Sequence, residues 1–188
     1  DGTTTISGTP LNEHVGTHNV VLTVSDGFGT IEQSFTLTVT NTNDVPVFSS
    51  TEITAAIEDA TYSYRVTASD IDISDALTFA ATTLPTWLTL VDNGNGTATL
   101  SGTPTNDHVG SNSVVLTVID AFGVEVTQSF TITVANTNDE PVFTSMAITK
   151  ATEDATYSYT VTAADVDVGD ALTFAVTTKP DWLSFNGT

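Results

Sequence analysis

The amino-acid sequence predicts an all-β protein made of tandem β-sandwich modules. Apolar residues alternate with Thr at the period of two of a half-buried strand, as where Phe130, Ile132 and Val134 alternate with Thr131 and Thr133. The high content of Thr and Val favours pleated structure, and no segment has the apolar stripe of a helix. A self-similar repeat of about 95 residues, longer than a solenoid repeat, fits a complete sandwich domain.

The repeat is visible as blocks of identical sequence. Ser-Gly-Thr-Pro at residues 7–10 recurs 94 residues later at 101–104, and Asn-Thr-Asn-Asp at residues 41–44 recurs 95 residues later at 136–139. A fixed spacing between similar blocks identifies the folding unit. The sequence therefore predicts successive copies of one module.

Module boundaries follow from two prolines. Pro46 and Pro141 each come two residues after an Asn-Asp pair, and because proline cannot donate to a β-ladder, both suit a linker before a first strand. We therefore predict the back of one module at residues 1–44, a complete module at 45–139 and the front of a third at 140–188.

Seven strands are predicted in the complete module from its alternation and turn signals. The Asn- and Gly-rich turn at residues 92–96 tolerates the positive φ angles of a hairpin. Trp87 and Trp182 occupy one repeat position and are predicted to fill the space between two sheets. The predicted strands span residues 52–57, 62–69, 76–82, 87–91, 97–101, 113–119 and 126–135.

The charge of the chain excludes several classes of partner. Three Lys and Arg residues stand against 23 Asp and Glu, which gives a formal net charge of −20, and there is no cysteine. Nucleic acids and anionic membrane surfaces are bound through basic residues, so neither is expected as a partner. No apolar run is long enough for membrane insertion of this segment. Repulsion among so many carboxylates implies bound cations or high ambient salt.

Oxygen ligands are concentrated at each predicted joint between modules. Calcium takes six to eight oxygens, and alternate residues of an extended chain can direct side chains at one ion, whereas magnesium prefers a hydrated octahedral shell and zinc prefers His or Cys. The alternative is that these Asp and Asn residues cap turns and solvate loops. The sets are Asn41, Asn43, Asp44, Asp70, Asp72 and Asp75 at the first joint, and Asn136, Asn138, Asp139, Asp165, Asp167 and Asp170 at the second.

The linker sequence resembles a known family. Residues 41–48, Asn-Thr-Asn-Asp-Val-Pro-Val-Phe, resemble the cadherin linker signature Asp-x-Asn-Asp-Asn-x-Pro-x-Phe shortened by one residue. Asp70-Ile-Asp72 resembles the cadherin Asp-x-Asp, Glu58 the acidic residue of the first strand, and Asp120 the Asp before the last strand. The resemblance implies Ig-like or cadherin-like Greek-key β-sandwiches of about seven strands each.

Two other motifs are similar to one branch of that family. The Ser-Gly-Thr-Pro stretch and Asp-Gly-Phe-Gly at residues 26–29 are similar to the dystroglycan-type cadherin-like modules of large bacterial surface proteins. The cadherin Leu-Asp-Arg-Glu motif is absent, since the corresponding region begins Leu100-Ser101-Gly102. This departure puts one ion of the family's calcium cluster in doubt.

The resemblance also implies a calcium ligand set at each joint. Bound calcium would rigidify each joint, because the ion is shared by two modules and their linker. The implied ligands are Asn41, Asn43, Asp44, Asp70, Asp72 and Asp120 at the first joint, and Glu58, Asn136, Asn138, Asp139, Asp165 and Asp167 at the second, with Asp107 as a further candidate.

These observations predict a structural or adhesive repeat array on a bacterial cell surface or outside the cell, in an adhesin or a fibre, and not an enzyme. His14 and His108 share one repeat position before Val-Gly and are predicted turn residues rather than catalytic groups. The alternative function is a carbohydrate-binding module of an extracellular polysaccharide-active protein. That alternative requires Trp87, Tyr62 and Tyr64 to be exposed on one face.

The phase of the repeat predicts incomplete modules at both ends of the sequence. Each half should expose an unpaired edge and an apolar face. We expect completion by the complementary half of a neighbouring copy, head to tail in a filament, or by the next repeat of a longer covalent array. In either case, residues such as Val20, Leu22 and Val24 should pack near residues such as Phe174 and Trp182.

Overall fold

A computed structural model describes residues 2–72 and 75–187. We refer to residues 2–44 as the N-terminal segment, 45–139 as the central segment and 140–187 as the C-terminal segment. The described residues form β-strands and two short 3-10 helices, Asn12–His14 and Asn106–His108, with no α-helix among them. The all-β prediction is confirmed. No helix in the described ranges has the length and hydropathy needed to cross a membrane.

The N-terminal segment contains one antiparallel hairpin. Strands β1 (Gly16–Ser25) and β2 (Thr30–Val39) pair from Gly16 opposite Val39 to Ser25 opposite Thr30. Asp26 closes the turn, since its Oδ1 accepts the N–H groups of Phe28 at 2.9 Å and Gly29 at 2.8 Å. An Asp side chain that binds backbone donors two and three residues ahead is a common way to fix a turn.

The central segment is a sandwich of two four-stranded sheets. One sheet has the order β4-β10-β9-β6 and the other β3-β5-β8-β7. Neighbouring strands are antiparallel except β4 and β10, which run parallel. The strands are β3 (Val47–Phe48), β4 (Ala55–Ile57), β5 (Tyr62–Ser69), β6 (Thr78–Thr83), β7 (Leu88–Asp92), β8 (Thr97–Gly102), β9 (Gly110–Ile119) and β10 (Glu125–Ala135).

The seven predicted strands correspond to β4 through β10, and β5 has the predicted bounds. The other six differ from the prediction by up to three residues at an end, as at β9, which begins at Gly110. Strand β3 is additional. It has two residues, Val47 and Phe48, which pair with Ser69 and Ala68 of β5. A strand this short has no alternation to detect, because its pairing is set by a distant strand.

The core lies between the two sheets. Ile132 and Val134 of β10 are buried while Thr131 and Thr133 are exposed, as the period-two pattern predicts. Trp87 is 8% exposed, packs edge-to-face on Tyr62 with ring centroids 5.6 Å apart, and lies between the sheets as predicted. Fully buried side chains from both sheets include Tyr64, Val66, Leu100, Val114, Leu116 and Val118.

The C-terminal segment remains open. Its described strands are β11 (Val142–Phe143) and β12 (Ala163–Ala164), which pair antiparallel. The prediction that Trp182 fills a space between sheets is wrong for the isolated chain, where Trp182 is 67% exposed. The physical reason is that β9 and β10 cover this position in the central segment, and residues 140–187 contain no counterpart of them. An apolar cavity of about 1100 Å³ is left in the segment.

The Ser-Gly-Thr-Pro motif explains how two strands approach closely. Gly102 lies on β8 opposite Leu88 of β7, and a Cβ atom at Gly102 would overlap the backbone carbonyl of Trp87. Pro104 is fully buried, and its carbonyl oxygen accepts the N–H of Asp59 at 2.9 Å. The motif therefore joins the β7–β8 pairing to the turn after β4.

The Gly102→Ala substitution tests this constraint. We expect a loss of about 1–3 kcal/mol in the free energy of unfolding of the central segment, because backbone atoms of β7 would have to shift. Thr103→Ala, at the exposed next residue, should change it by less than about 0.5 kcal/mol. Urea unfolding followed by Trp fluorescence measures both, and equal stability of the two variants would contradict the packing role of Gly102.

Candidate metal centre

The first joint forms where the linker meets one end of the central sandwich. Asp70 and Asp72 directly follow β5, and Asp120 directly follows β9. Asn43 and Asp44 lie in the extended linker between β2 and β3. Strand ends thus bring carboxylates that are distant in sequence to the same end of the fold.

Hydrogen bonds fix the orientation of these side chains. The backbone N–H of Asp44 donates to Oδ2 of Asp72 at 2.7 Å, and the Asp72 N–H donates to Oδ1 of Asp70 at 2.9 Å. The Asn43 side-chain amide donates to Oδ2 of Asp120 at 2.8 Å. Asp70, Asp72 and Asn43 therefore each use one side-chain atom to hold the joint and keep a second one for another partner.

Four buried oxygen atoms at this joint have no hydrogen-bond partner among the described residues. They are Oδ1 of Asn43, Oδ2 of Asp70, Oδ1 of Asp72 and Oδ2 of Asp75. Asp70, Asp72 and Asp75 each offer an oxygen within 4.8 Å of the others. Burial of an unpaired polar atom is costly, and burial of several acceptors together calls for a cation. The donor set is all oxygen, which fits a hard divalent ion.

The electrostatics of the first joint differ from one carboxylate to the next. Burial, and then the negative charges of Asp70, Asp72 and Asp120, raise the pKa of the Asp75 carboxyl above its usual range. The Asn43 amide, and then the N–H groups of the loop after β9, lower the pKa of Asp120. Asp120 thus stays ionised and positions Asn43. The carboxyl of Asp75, in contrast, is repelled by the neighbouring carboxylates of the cluster.

The N-terminal segment also contributes to the first joint. A cavity of about 250 Å³ is lined by Asn12, Val15 and Asn41 from this segment and by Ile71, Asp75 and Phe122 from the central segment. The Asn12 side-chain amide donates to Oδ2 of Asp44 at 2.6 Å. Asn41 is exposed at this cavity.

The second joint brings together residues from both sides of the linker. Glu58 of the central segment, Asp139 of the linker and Asp167 of the C-terminal segment each offer an oxygen within 4.8 Å of the others. Glu58 is buried after β4, and its Oε2 accepts the backbone N–H of Thr137 at 3.0 Å. Asp165 and Asp170 form a second such group with Asp167.

Asp167 is the most heavily hydrogen-bonded carboxylate of the second joint. Its Oδ2 accepts the Asp139 N–H at 2.7 Å, and its Oδ1 accepts the amides of Asn136 at 2.9 Å and Asn106 at 3.1 Å. These bonds, that from Asp139 first, lower the pKa of Asp167. Asn138 donates to the Asp139 carbonyl at 2.6 Å, the same bond that Asn43 makes to Asp44.

Sequence analysis placed Asp75 and Asp170 among the oxygen ligands of the joints, although the ligand set implied by the family omits them, and both belong to the carboxylate groups. It missed two side-chain amides. Asn12 and Asn106, which hold Asp44 and Asp167, carried one detectable signal: they share a repeat position before an acidic residue and His-Val-Gly. Asp107 is exposed and lies outside the carboxylate groups found among the described residues.

The aromatic side chains considered for sugar binding are in the core. Trp87, Tyr62 and Tyr64 are all buried, and burial raises the pKa of Tyr62 to about 12. They therefore cannot form an exposed stacking platform. The repeated histidines close turns as predicted, since Nδ1 of His14 accepts the Leu11 N–H at 2.8 Å and Nδ1 of His108 accepts the Thr105 N–H at 3.0 Å.

Comparisons with solved structures agree with the sandwich fold. The chain is similar to a protocadherin gammaB7 EC3-6 cis-dimer structure, with 18% identity over 94% of this chain and 48% of that one and a TM-score of 0.59. It is similar to the protocadherin GammaB4 extracellular domain, with 21% identity over 86% of this chain and 28% of that one and a TM-score of 0.58.

A further similarity is to an endo-fucoidan hydrolase from glycoside hydrolase family 107, with 28% identity over 69% of this chain and a TM-score of 0.45. The chain spans only 20% of the length of that hydrolase. No protein with a curated description is significantly similar in sequence.

The family described as "Putative Ig domain" matches residues 1–40, 45–135 and 140–188. Because these matches cover nearly the whole sequence, the chain belongs to the "Putative Ig domain" family, and its sandwich has the fold of cadherin domains.

Proposed function

We propose that this chain is part of a non-enzymatic, extracellular adhesive repeat array whose modules are held in fixed orientation by calcium bound at the joints. The modules are residues 1–44, 45–139 and 140–188, of which the middle one is complete. The dystroglycan-type motifs, Ser-Gly-Thr-Pro and Asp-Gly-Phe-Gly, favour a bacterial surface protein within the broader cadherin-like class.

The observation that carries the proposal is the set of four unpaired buried oxygens at the first joint. Oδ1 of Asn43 comes from the linker, while Oδ2 of Asp70, Oδ1 of Asp72 and Oδ2 of Asp75 come from the central module. Residues that merely cap turns would spend their oxygens on nearby N–H groups, as Asp120 and Asp26 do. Asp70, Asp72 and Asp75 instead each keep one buried oxygen without a hydrogen-bond partner among the described residues.

Calcium fits these donors better than the other common divalent ions. The four unpaired oxygens of the first joint would supply four of the six to eight ligands that calcium takes, and water or backbone carbonyls would complete the shell. Magnesium demands a smaller, more hydrated octahedron, and zinc prefers His and Cys, which the joints lack among their described residues. Extracellular calcium modules bind with a Kd of about 10⁻⁴–10⁻³ M, which suits a partly exposed site outside the cell.

The second joint supports rigidification in particular. Glu58, Asp139 and Asp167 belong to one module, the linker and the next module. An ion that bridges them has to be released before the modules can bend apart. Calcium at the joints would also neutralise part of the charge of −20 and relieve the repulsion along the array.

Removal of calcium is expected to destabilise the chain and loosen its joints. A ligand that binds only the folded state stabilises it by about 2.7 kcal/mol at a concentration one hundred times its Kd. EDTA at constant ionic strength should therefore lower the melting temperature and change the radius of gyration measured by X-ray scattering. Matched magnesium should restore little of either. Identical melting and scattering with calcium and with EDTA would contradict the calcium joint.

Asp72→Asn is expected to weaken calcium binding without unfolding the module. Asn keeps an acceptor for the Asp44 N–H but removes a ligand charge, so the Kd should rise by at least on the order of tenfold, the loss typical of even an outer-shell partner. Asp181→Asn removes the same charge from an exposed position away from the joints and is the control. Isothermal titration of both variants measures the effect, and equal calcium affinities would exclude Asp72 as a ligand.

Asp75→Asn is expected to have opposite effects with and without calcium. The raised pKa of Asp75 means that its charged form is disfavoured in the folded state, so the neutral side chain should raise stability in EDTA. With saturating calcium the same change removes a ligand and should reduce the stabilisation by the ion. Urea unfolding in both conditions measures the reversal. A loss of stability in both conditions would argue against a metal role for Asp75.

A further inference from the structure

The turn between β7 and β8 contains two Asn-Gly pairs in succession, Asn93-Gly94 and Asn95-Gly96. Asn before Gly is chemically labile, because the Gly residue has no side chain to hinder the approach of its nitrogen to the Asn side-chain carbon Cγ. Both Asn residues are exposed to solvent. The two pairs make different contacts, and this difference decides which of them can react.

Asn93 is held by hydrogen bonds on both nitrogens that the reaction would use. Its side-chain amide donates to the hydroxyl oxygens of Thr97 at 3.0 Å and Thr99 at 3.3 Å. The N–H of Gly94 donates to Oδ1 of Asp92 at 2.9 Å. Attack by the Gly94 nitrogen requires loss of that proton, and the adjacent carboxylate disfavours the negative charge that would result. Asn93 is therefore protected.

Asn95 has the opposite arrangement. Within the part of the chain that the structure describes, the N–H of Gly96 makes no hydrogen bond and the Asn95 side-chain amide donates none. The Thr97 hydroxyl instead donates to Oδ1 of Asn95 at 2.7 Å. Thr97 is buried and lies two residues further along the chain, so this bond holds the Asn95 carbonyl beside the Gly96 peptide group.

The bond from Thr97 also activates the Asn95 amide. When a nucleophile adds to Cγ, negative charge develops on Oδ1, and a donor already directed at that oxygen stabilises the charge. Thr97 acts on the two Asn side chains in opposite ways, because its oxygen accepts from the Asn93 amide while its proton is donated to Asn95. A single hydroxyl group thus protects one Asn and activates the other.

We propose that Asn95 is a site of spontaneous deamidation, selected over Asn93 by the hydroxyl of Thr97. The Gly96 nitrogen loses its proton to solvent and forms a bond to Cγ of Asn95, while the Cγ–Nδ2 bond breaks and Nδ2 takes up a proton and leaves as ammonia. This inference goes beyond the calcium joints proposed above and does not depend on them.

Water completes the reaction by opening the cyclic imide. Cleavage of the new bond to Cγ leaves Asp at residue 95, whereas cleavage at the main-chain carbonyl carbon of residue 95 leaves isoaspartate. The net change is the loss of ammonia and the gain of water, and nothing is oxidised or reduced. Either product adds a negative charge to the turn.

The turn lies close to the first joint. The carbonyl oxygen of Gly96 accepts the N–H of Ala68 at 3.2 Å, two residues before Asp70, and the N–H of Asn93 donates to the Thr97 carbonyl at 3.0 Å. Isoaspartate lengthens the main chain by a methylene group, which disrupts the ladder locally as an inserted residue does in a β-bulge. The bond between Gly96 and Ala68 should break, and the end of β5 should loosen.

Ageing of the full chain tests the proposal. The chain is incubated at neutral pH in heavy-oxygen water, which labels each new carboxylate, and the products are mapped by tandem mass spectrometry. Asn95 should convert at least about tenfold faster than Asn93, because reaction at Asn93 first requires several hydrogen bonds to open, each of which lowers the open population several-fold.

A synthetic peptide of residues 90–99 is the control for this comparison. It contains both Asn-Gly pairs without the fold, so Asn93 and Asn95 should convert at similar rates. Equal rates in the folded chain would overturn the proposal. So would a preference for Asn95 that the peptide shows to the same extent, because the fold would then contribute nothing to the selection.

Thr97→Val removes the hydroxyl and keeps a β-branched side chain on the strand. Conversion of Asn95 should become several-fold slower while conversion of Asn93 becomes faster, since one loses its donor and the other its acceptor. Thr97→Ser keeps the hydroxyl and should keep the preference for Asn95. Thr99→Val removes only an acceptor of Asn93 and should leave the Asn95 rate unchanged.

A turn that is merely loosened would react faster at both positions. Faster conversion of both Asn93 and Asn95 in Thr97→Val would therefore overturn the assigned role of the hydroxyl. Loss of the preference in Thr97→Ser would do the same, and this variant gives a result even where Thr97→Val folds poorly.

The Asn95→Asp variant separates the effect of the lengthened main chain from that of the added charge. It carries the same carboxylate as the aged chain on an ordinary main chain. In hydrogen exchange, the Ala68 N–H should exchange several-fold faster in the purified isoaspartate form than in Asn95→Asp, because only isoaspartate displaces the Gly96 carbonyl. Equal protection of Ala68 in the two forms would overturn the proposed loosening of β5.

Discussion

Burial of apolar side chains between two sheets is the constraint on which the rest of this structure depends. A single sheet has one apolar face that water disfavours, and a sandwich removes it by placing a second sheet over the first. In the central segment this burial is complete for Val66 and Leu100 from one sheet and for Leu116 and Ile132 from the other. The same residue types stay exposed at the two ends, where the chain provides one face at a time.

At the joints, carboxylates lie close together despite their electrostatic repulsion. Hydrogen bonds from the linker backbone help to hold them there. The N–H groups of Asp44 and Asp139 each bind the carboxylate of the following module at 2.7 Å, at Asp72 and Asp167. These equivalent bonds hold the linker against the next sandwich, and they leave other oxygens clustered for an ion.

The two levels of organisation depend on one another. Each joint collects residues from strand ends of the closed central sandwich and from the segment beside it. Asn43 is oriented by Asp120 from the loop between β9 and β10, which itself belongs to the sheet that completes the core. A half-module can present the linker and the Asp-x-Asp pair, but it cannot supply every residue of the joint.

The sequence by itself determined the all-β class, the repeat, the limits of β5 and the concentration of oxygen ligands near the linkers. These features depend on local periodicity or on identical blocks, which are visible without a structure. Only the tertiary structure decided that β3 pairs with the end of β5, that Gly102 has no room for a Cβ, and that the Asn12 amide belongs to the first joint. Those relations join residues far apart in the chain, and their geometry comes from sheet register. The exposure of Trp182 against the burial of Trp87 shows the same limit, because identical local sequence has a different environment wherever the opposite sheet is missing.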